Sequence, residues 1–293
     1  MLCNICPRNC STDRSKNVGY CKMTDTLKVS RAALHFWEEP CISGENGSGT
    51  VFFSGCNMGC VYCQNQDISH EGFGREITVE RLAEIFLELQ GKKAHNINLV
   101  TPTHFVPHIV TAVETSRKNG LAIPIVYNTS GYEKVQNIRA LKDTVDVFLP
   151  DFKYLDSETA QKYSFCSDYP QVVKAAIAQM VKQTGPCVFD DDGMIQKGVV
   201  VRVLVLPNHT EEAKRIIEYL YSTYGDDIFI SIMSQYTPCT DLHKYPEINR
   251  RLTQQEYDEV IDFAVELGLE NGFVQEGESA SESFIPPFNL EGV

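Results

Sequence analysis

From Thr50 onward the chain alternates between two patterns. Short apolar runs rich in β-branched and aromatic residues are each followed by a stretch whose apolar residues recur every three or four positions. The apolar runs fall at 50–55, 97–100, 123–127, 145–149, 199–206 and 228–233. The helical patterns fall at 78–89, 105–118, 132–141, 157–184, 211–223 and 253–267. The first helix carries Val79, Leu82, Ile85, Phe86 and Leu89, with Thr78 in the N-cap position, and the last is stopped by Gly268.

Strand followed by helix, six times over, predicts a parallel sheet with right-handed crossovers. The strand runs are nearly all apolar, as expected when both sheet faces are covered. Six units that never double back on a switch strand predict an α/β fold, a partial (β/α)6 TIM-like barrel. An open doubly wound sheet is the alternative. In both architectures the reactive groups belong at the C-terminal ends of the strands.

The flanks lack this rhythm. Residues 1–49 hold five cysteines and a Gly- and Ser-rich run at 43–49, and read as a small loop-rich module held by something other than a core. Past residue 275 the chain turns polar and reads as a mobile tail. The domain reading is a Cys-rich module over 1–49, a barrel over 50–275 and a polar C-terminal tail over 276–293.

Composition narrows the classes. A chain of 293 residues, 43% hydrophobic and 22% charged, is neither disordered, coiled-coil nor collagen-like. No apolar run approaches the roughly 20 residues of a membrane helix, and no basic segment followed by an apolar one opens the sequence, so a cytoplasmic protein is expected. A net charge of −13 disfavours nucleic acid, which needs clustered cations. In a reducing compartment the eleven cysteines favour metal or catalytic roles over disulfides.

Three of them follow the first strand: Cys56-Asn57-Met58-Gly59-Cys60-Val61-Tyr62-Cys63. Soft thiolates select iron–sulfur clusters or zinc. A closed site wants four protein ligands and this loop offers three, so one metal position is left for a small molecule.

That C-x3-C-x2-C loop, with Tyr62 before its last cysteine, resembles the signature of the radical S-adenosylmethionine (SAM) superfamily. Five further segments resemble its PflX-type branch, proteins similar to pyruvate formate-lyase activating enzymes: residues 3–10 (CNICPRNC), 47–50 (GSGT), 94–104 (AHNINLVTPTH), 126–132 (VYNTSGY) and 149–154 (LPDFKY). The match covers about residues 3–275. The resemblance implies a [4Fe–4S] cluster held by Cys56, Cys60 and Cys63, with S-adenosyl-L-methionine chelating the fourth iron. It implies reductive cleavage of the sulfonium and a 5′-deoxyadenosyl radical that takes hydrogen from a target, by analogy a backbone glycine of a partner enzyme. A flavodoxin or ferredoxin would supply the electron.

Family positions carry over one at a time. Tyr62 falls where adenine is contacted, and Asn128 and Ser130 where the SAM sugar and methionine parts are read. Asp151 and Lys153 form a D-x-K pair closing the fourth strand, and Arg202 on the fifth is a carboxylate partner. The activating enzymes' Gly-Gly-Glu element is replaced here by Val100-Thr101-Pro102-Thr103-His104, leaving Thr101, Thr103 and His104 to contact SAM. His35, Trp37 and Glu38 are candidates for a cavity wall or for core packing.

A second constellation, Cys3, Cys6, Cys10 and Cys21, supplies four thiolates, enough for structural zinc or an auxiliary iron–sulfur cluster. Cys41 is a fifth candidate there. Two other readings stay open: an electron-transfer protein without chemistry, and a zinc-stapled binding module.

Overall fold

The computed structural model describes residues 2–239, 241–275 and 285–293. In chain order the elements are β1 (Lys28–His35), α1 (Pro40–Ser43), β2 (Ser48–Phe53), α2 (Gln66–Ser69), β3 (Arg75–Glu76), α3 (Val79–Gly91), β4 (Ile97–Val100), α4 (Val106–Lys118), β5 (Ile125–Thr129), α5 (Val135–Ala140), β6 (Val147–Pro150), α6 (Ser157–Ser164), α7 (Tyr169–Thr184), β7 (Val188–Phe189), β8 (Ile195–Leu204), α8 (Thr210–Tyr224), β9 (Phe229–Met233), α9 (Gln254–Glu266) and β10 (Gly272–Val274).

All six expected strands form. They pair in parallel in the order β2-β4-β5-β6-β8-β9, and the short β10 adds a further parallel strand beyond β9. Order in space follows order in sequence. A doubly wound sheet would reverse direction partway, so the sheet is of the partial-barrel kind.

Alternation along the strands builds two different interiors. On one face, Leu99, Tyr127, Phe148, Val201 and Ile230 join a large buried cluster with the helices, including Leu82, Ile85, Phe86 and Leu89 of α3. Thr78 caps that helix by accepting a hydrogen bond from the Arg81 amide. On the other face, Val126, Val147, Leu149 and Val200 form a separate apolar cluster with Cys41 and Ile42 of α1. The short helix α1 therefore plugs the barrel beneath its polar layer. Cys41 is one of the plug's apolar residues, which corrects its assignment to the N-terminal cysteine set.

Three sequence readings change. First, the segment before residue 50 contains β1, which pairs antiparallel with β2 from Val29↔Phe53 to His35↔Ser48, so the sheet extends into the stretch read as loop-rich. Its polar Lys28, Ser30 and Arg31 blurred the strand pattern. Second, the C-terminal segment past 284 is not loose. Leu290 N–H donates to Ser30 O and Ala32 N–H to Glu291 O, so it lies along the free edge of β1, with Phe288 edge-on to Phe52. The polar run at 276–284 falls outside the described residues. Third, the helical stretch 157–184 is two helices. The first ends at Phe165 in the left-handed region (φ 55°), and the second restarts with Pro170 in its first turn.

Candidate active site

The signature loop leaves β2 through Gly55 and turns again at Gly59, both with positive φ. A Cβ on Gly55 would come within 2.5 Å of Cys21 O, so the loop lies hard against the N-terminal segment. Arg8 fixes this contact. Its guanidinium donates to Asn57 O (2.8 Å), Met58 O (2.8 Å), Ser164 O (2.9 Å) and Phe165 O, and it stacks on Tyr20.

Cys56, Cys60 and Cys63 line one cavity of about 230 Å³ above the C-terminal ends of the strands. Each sulfur has a hydrogen-bond partner: the Met58 N–H lies 3.4 Å from Cys56 Sγ, the Ser164 hydroxyl 3.0 Å from Cys60 Sγ, and Ser69 Oγ 3.3 Å from Cys63 Sγ. Burial, reinforced by the neighbouring thiols, pushes the Cys56 thiol up to about 12, and burial raises Cys63 as well. Three sulfurs sharing one cavity, two of them in thiols that burial keeps from ionising on their own, suit a bound cationic iron core. Among the described residues no three His, Cys, Asp or Glu side chains converge around a single metal ion.

Across the cavity stands a polar layer contributed by successive strands. Arg202 donates from Nε to Asp151 Oδ1 (2.8 Å), from one terminal nitrogen to Glu38 Oε2 (3.1 Å) and from the other to Asn128 Oδ1 (2.6 Å). Lys153 Nζ donates to Asp151 Oδ2 (2.7 Å). Asn98 Nδ2 donates to Glu38 Oε1 at 3.0 Å. Burial alone would raise Asp151, but the adjacent Arg202 and Lys153 outweigh it and hold the carboxyl below its usual range. Burial pushes Glu38 up, against the pull of Arg202 and the two amides. The D-x-K pair and Arg202 thus form one network with Glu38, the buried carboxylate that sequence reading had placed only in a cavity wall or the core. Its signal was the acid pair Glu38-Glu39 ahead of Pro40, where β1 has ended.

The other expected site residues divide. Tyr62, Thr101, Asn128, Ser130, Asp151, Lys153 and Arg202 all line the cavity, as do His35, Trp37, Gln64, Gln235, Ile285 and Pro286. Thr101 holds φ +58°, an unusual conformation for a β-branched residue. Thr103 and His104 do not line it. The Thr103 hydroxyl donates to Glu133 Oε1 (2.5 Å), which also accepts from Thr129 (2.7 Å) and Tyr127 (3.2 Å). The His104 ring pairs through Nε2 with Ser54 O at 2.7 Å, and burial drops its pKa to about 3. Both are turned into the core because a carbonyl at the end of β2 and a buried carboxyl each need a partner.

Within the N-terminal segment, the Cys10 and Cys21 sulfurs flank Gly19, 3.6 and 3.5 Å from where its Cβ would stand. Cys6 and Cys21 are buried, and burial, with smaller contributions from neighbouring thiols, raises both, Cys6 to about 12.

The model of the radical SAM superfamily matches residues 50–220, more than half of the sequence. The chain belongs to the radical SAM superfamily, a class of enzymes whose chemistry runs through a radical derived from SAM, and membership implies SAM and a [4Fe–4S] cluster as bound groups. Among curated proteins, the chain is similar to the uncharacterized protein MJ0674 of Methanocaldococcus jannaschii, 30% identical over 277 residues that span 92% of this chain and 75% of the relative. Solved structures agree in fold. HydG, a maturase of the [FeFe]-hydrogenase, matches with TM-score 0.52 at 15% identity, over 78% of this chain and 52% of its own. Streptococcus suis SuiB bound to S-adenosylmethionine matches with TM-score 0.50 at 12% identity, over 75% and 48%. The chain spans about half the length of these two structures. Among the described residues no helix is long and apolar enough to cross a membrane.

Proposed function

We propose that this chain is an activating-enzyme-like radical SAM oxidoreductase of the PflX-type branch, taking hydrogen from a target that includes a glycyl residue of a partner enzyme. The observation that supports it is a single cavity shared by Cys56, Cys60, Cys63 and the Asp151–Lys153–Arg202–Glu38 network. The cluster, when bound, supplies an electron to the sulfonium.

Each protein residue then has a task. Cys56, Cys60 and Cys63 hold three irons. Tyr62 faces the adenine. Asn128 and Ser130, at the end of β5, meet the sugar and amino-acid parts. Lys153 presents a cation to the carboxylate, held in place by Asp151. Thr101 stands where the Gly-Gly-Glu element lies in activating enzymes and offers its hydroxyl to the SAM amino group. Ile285 and Pro286 narrow the mouth, and a dry mouth is what keeps a primary alkyl radical from water and stray C–H bonds. Cys3, Cys6, Cys10 and Cys21 hold the second metal, zinc or an auxiliary iron–sulfur cluster. The electron comes from a flavodoxin or ferredoxin in the cytoplasm.

Anaerobic reconstitution followed by a reductant-dependent assay for 5′-deoxyadenosine tests this. Release is expected from the wild type and lost in Cys56→Ala. A reconstituted cluster that leaves SAM intact with every reductant defeats the enzymatic reading.

A further inference from the structure

A file of hydroxyls runs through the protein to one cluster thiolate. Tyr62 OH lies 2.6 Å from Tyr154 OH, Tyr154 OH lies 2.8 Å from Ser164 Oγ, and Ser164 Oγ lies 3.0 Å from Cys60 Sγ. Tyr154 and Ser164 are wholly buried, and Tyr62 and Cys60 are nearly so.

Proton counting fixes the direction of this file. A metal-bound thiolate only accepts, so the Ser164 proton points at Cys60. Each hydroxyl has one proton. Ser164 must then accept from Tyr154, and Tyr154 must accept from Tyr62. The three O–H dipoles align head to tail, each strengthening the next in a low-dielectric interior. The break between α6 and α7 makes this possible. Ser164 is the last residue of α6, Phe165 closes it in the left-handed region, and Arg8 grips both carbonyls.

We propose that Tyr154 and Ser164 are positioning residues that set the reduction potential of the cluster through Cys60, with Tyr62 as the outer donor. The proposal rests on the radical SAM reading of the three signature cysteines. Reduction adds negative charge to the cluster, and a donor on a ligand sulfur stabilises the more negative state. The relay therefore raises the potential and eases reduction by a biological donor. A role confined to filling the core would leave the potential alone.

The test is an EPR-monitored redox titration of the reconstituted full chain, with iron counted per protein. Ser164→Ala is expected to lower the midpoint, cutting the reduced-to-oxidised ratio at fixed potential up to about tenfold, which is about 59 mV for a one-electron couple. Tyr154→Phe keeps the ring and is expected to shift it in the same direction by less. If Ser164→Ala loses the cluster, Tyr154→Phe decides: a negative shift supports the relay, and an unchanged midpoint overturns it. Unchanged midpoints in both variants with clusters intact overturn the relay while leaving the superfamily reading standing. A wild type that assembles no cubane overturns both.

Discussion

Glu133 is a fully buried carboxyl whose Oε1 accepts from three hydroxyls, while Oε2 has no hydrogen-bond partner among the described residues. Burial dominates and lifts its pKa to about 7, despite those donors. The folded state therefore holds the proton more tightly than the unfolded chain does. Its stabilising contribution is complete below about pH 4.5 and is lost as pH rises through about 7. Glu133→Gln keeps the acceptor and removes the charge, so it is expected to flatten that fall, gaining up to about 3 kcal/mol at pH 8 over wild type, read from urea melts across pH. Equal pH slopes in both proteins would refute this. Such a residue is hard to see in sequence, since nothing local distinguishes Tyr132-Glu133-Lys134 from a solvated turn. The same holds for Thr101, whose strained φ comes from its setting. The signature cysteines could be grouped in sequence because their spacing is local, and the structure brings all three to one cavity. His104 misled because Val100 and Thr101, a few residues before it, border the cavity while its own ring packs inward.

At the scale of elements, the strand–helix rhythm was readable because parallel strands buried on both faces are continuous apolar runs. What failed were elements at the margin. Strand β1 mixes Lys28, Ser30 and Arg31 with its apolar residues, and the C-terminal segment has no period at all. That segment nonetheless bonds to Ser30 and Ala32, pairs Glu291 with Arg31 at 2.7 Å, and places Phe288 on Phe52. Deleting residues 285–293 removes roughly 1–3 kcal/mol of apolar burial. A melting temperature lower by a few degrees is expected. Hydrogen exchange gives the sharper reading: the Ala32 amide should lose protection while the amides of β5 keep theirs. Retained protection at Ala32 would show that the pairing contributes nothing.

For the whole molecule, the N-terminal cysteines and the signature loop are adjacent but separate. Arg8 joins them through backbone carbonyls, not through a shared thiol. Cys6→Ala is therefore expected to lose the metal proposed for the N-terminal cysteines and keep the EPR signal of the signature cluster, whereas Cys56→Ala should do the reverse. Metal analysis with EPR on both variants checks this, and simultaneous loss of both centres in Cys6→Ala would mean one joint site. The grouping of the cysteines into two sets was legible from spacing. The docking between the sites was not, because it depends on Arg8 reaching carbonyls about fifty and a hundred and fifty-seven residues away.

The sheet does not close on itself, which leaves two margins where a foreign strand would add. One margin, along β1, is taken up by the two charged residues of β3 and by the returning C-terminal segment. The other ends in β10, only three residues long. Neither offers a long, flat, apolar ladder, so this architecture can stay open for its substrate at little risk of edge-to-edge aggregation.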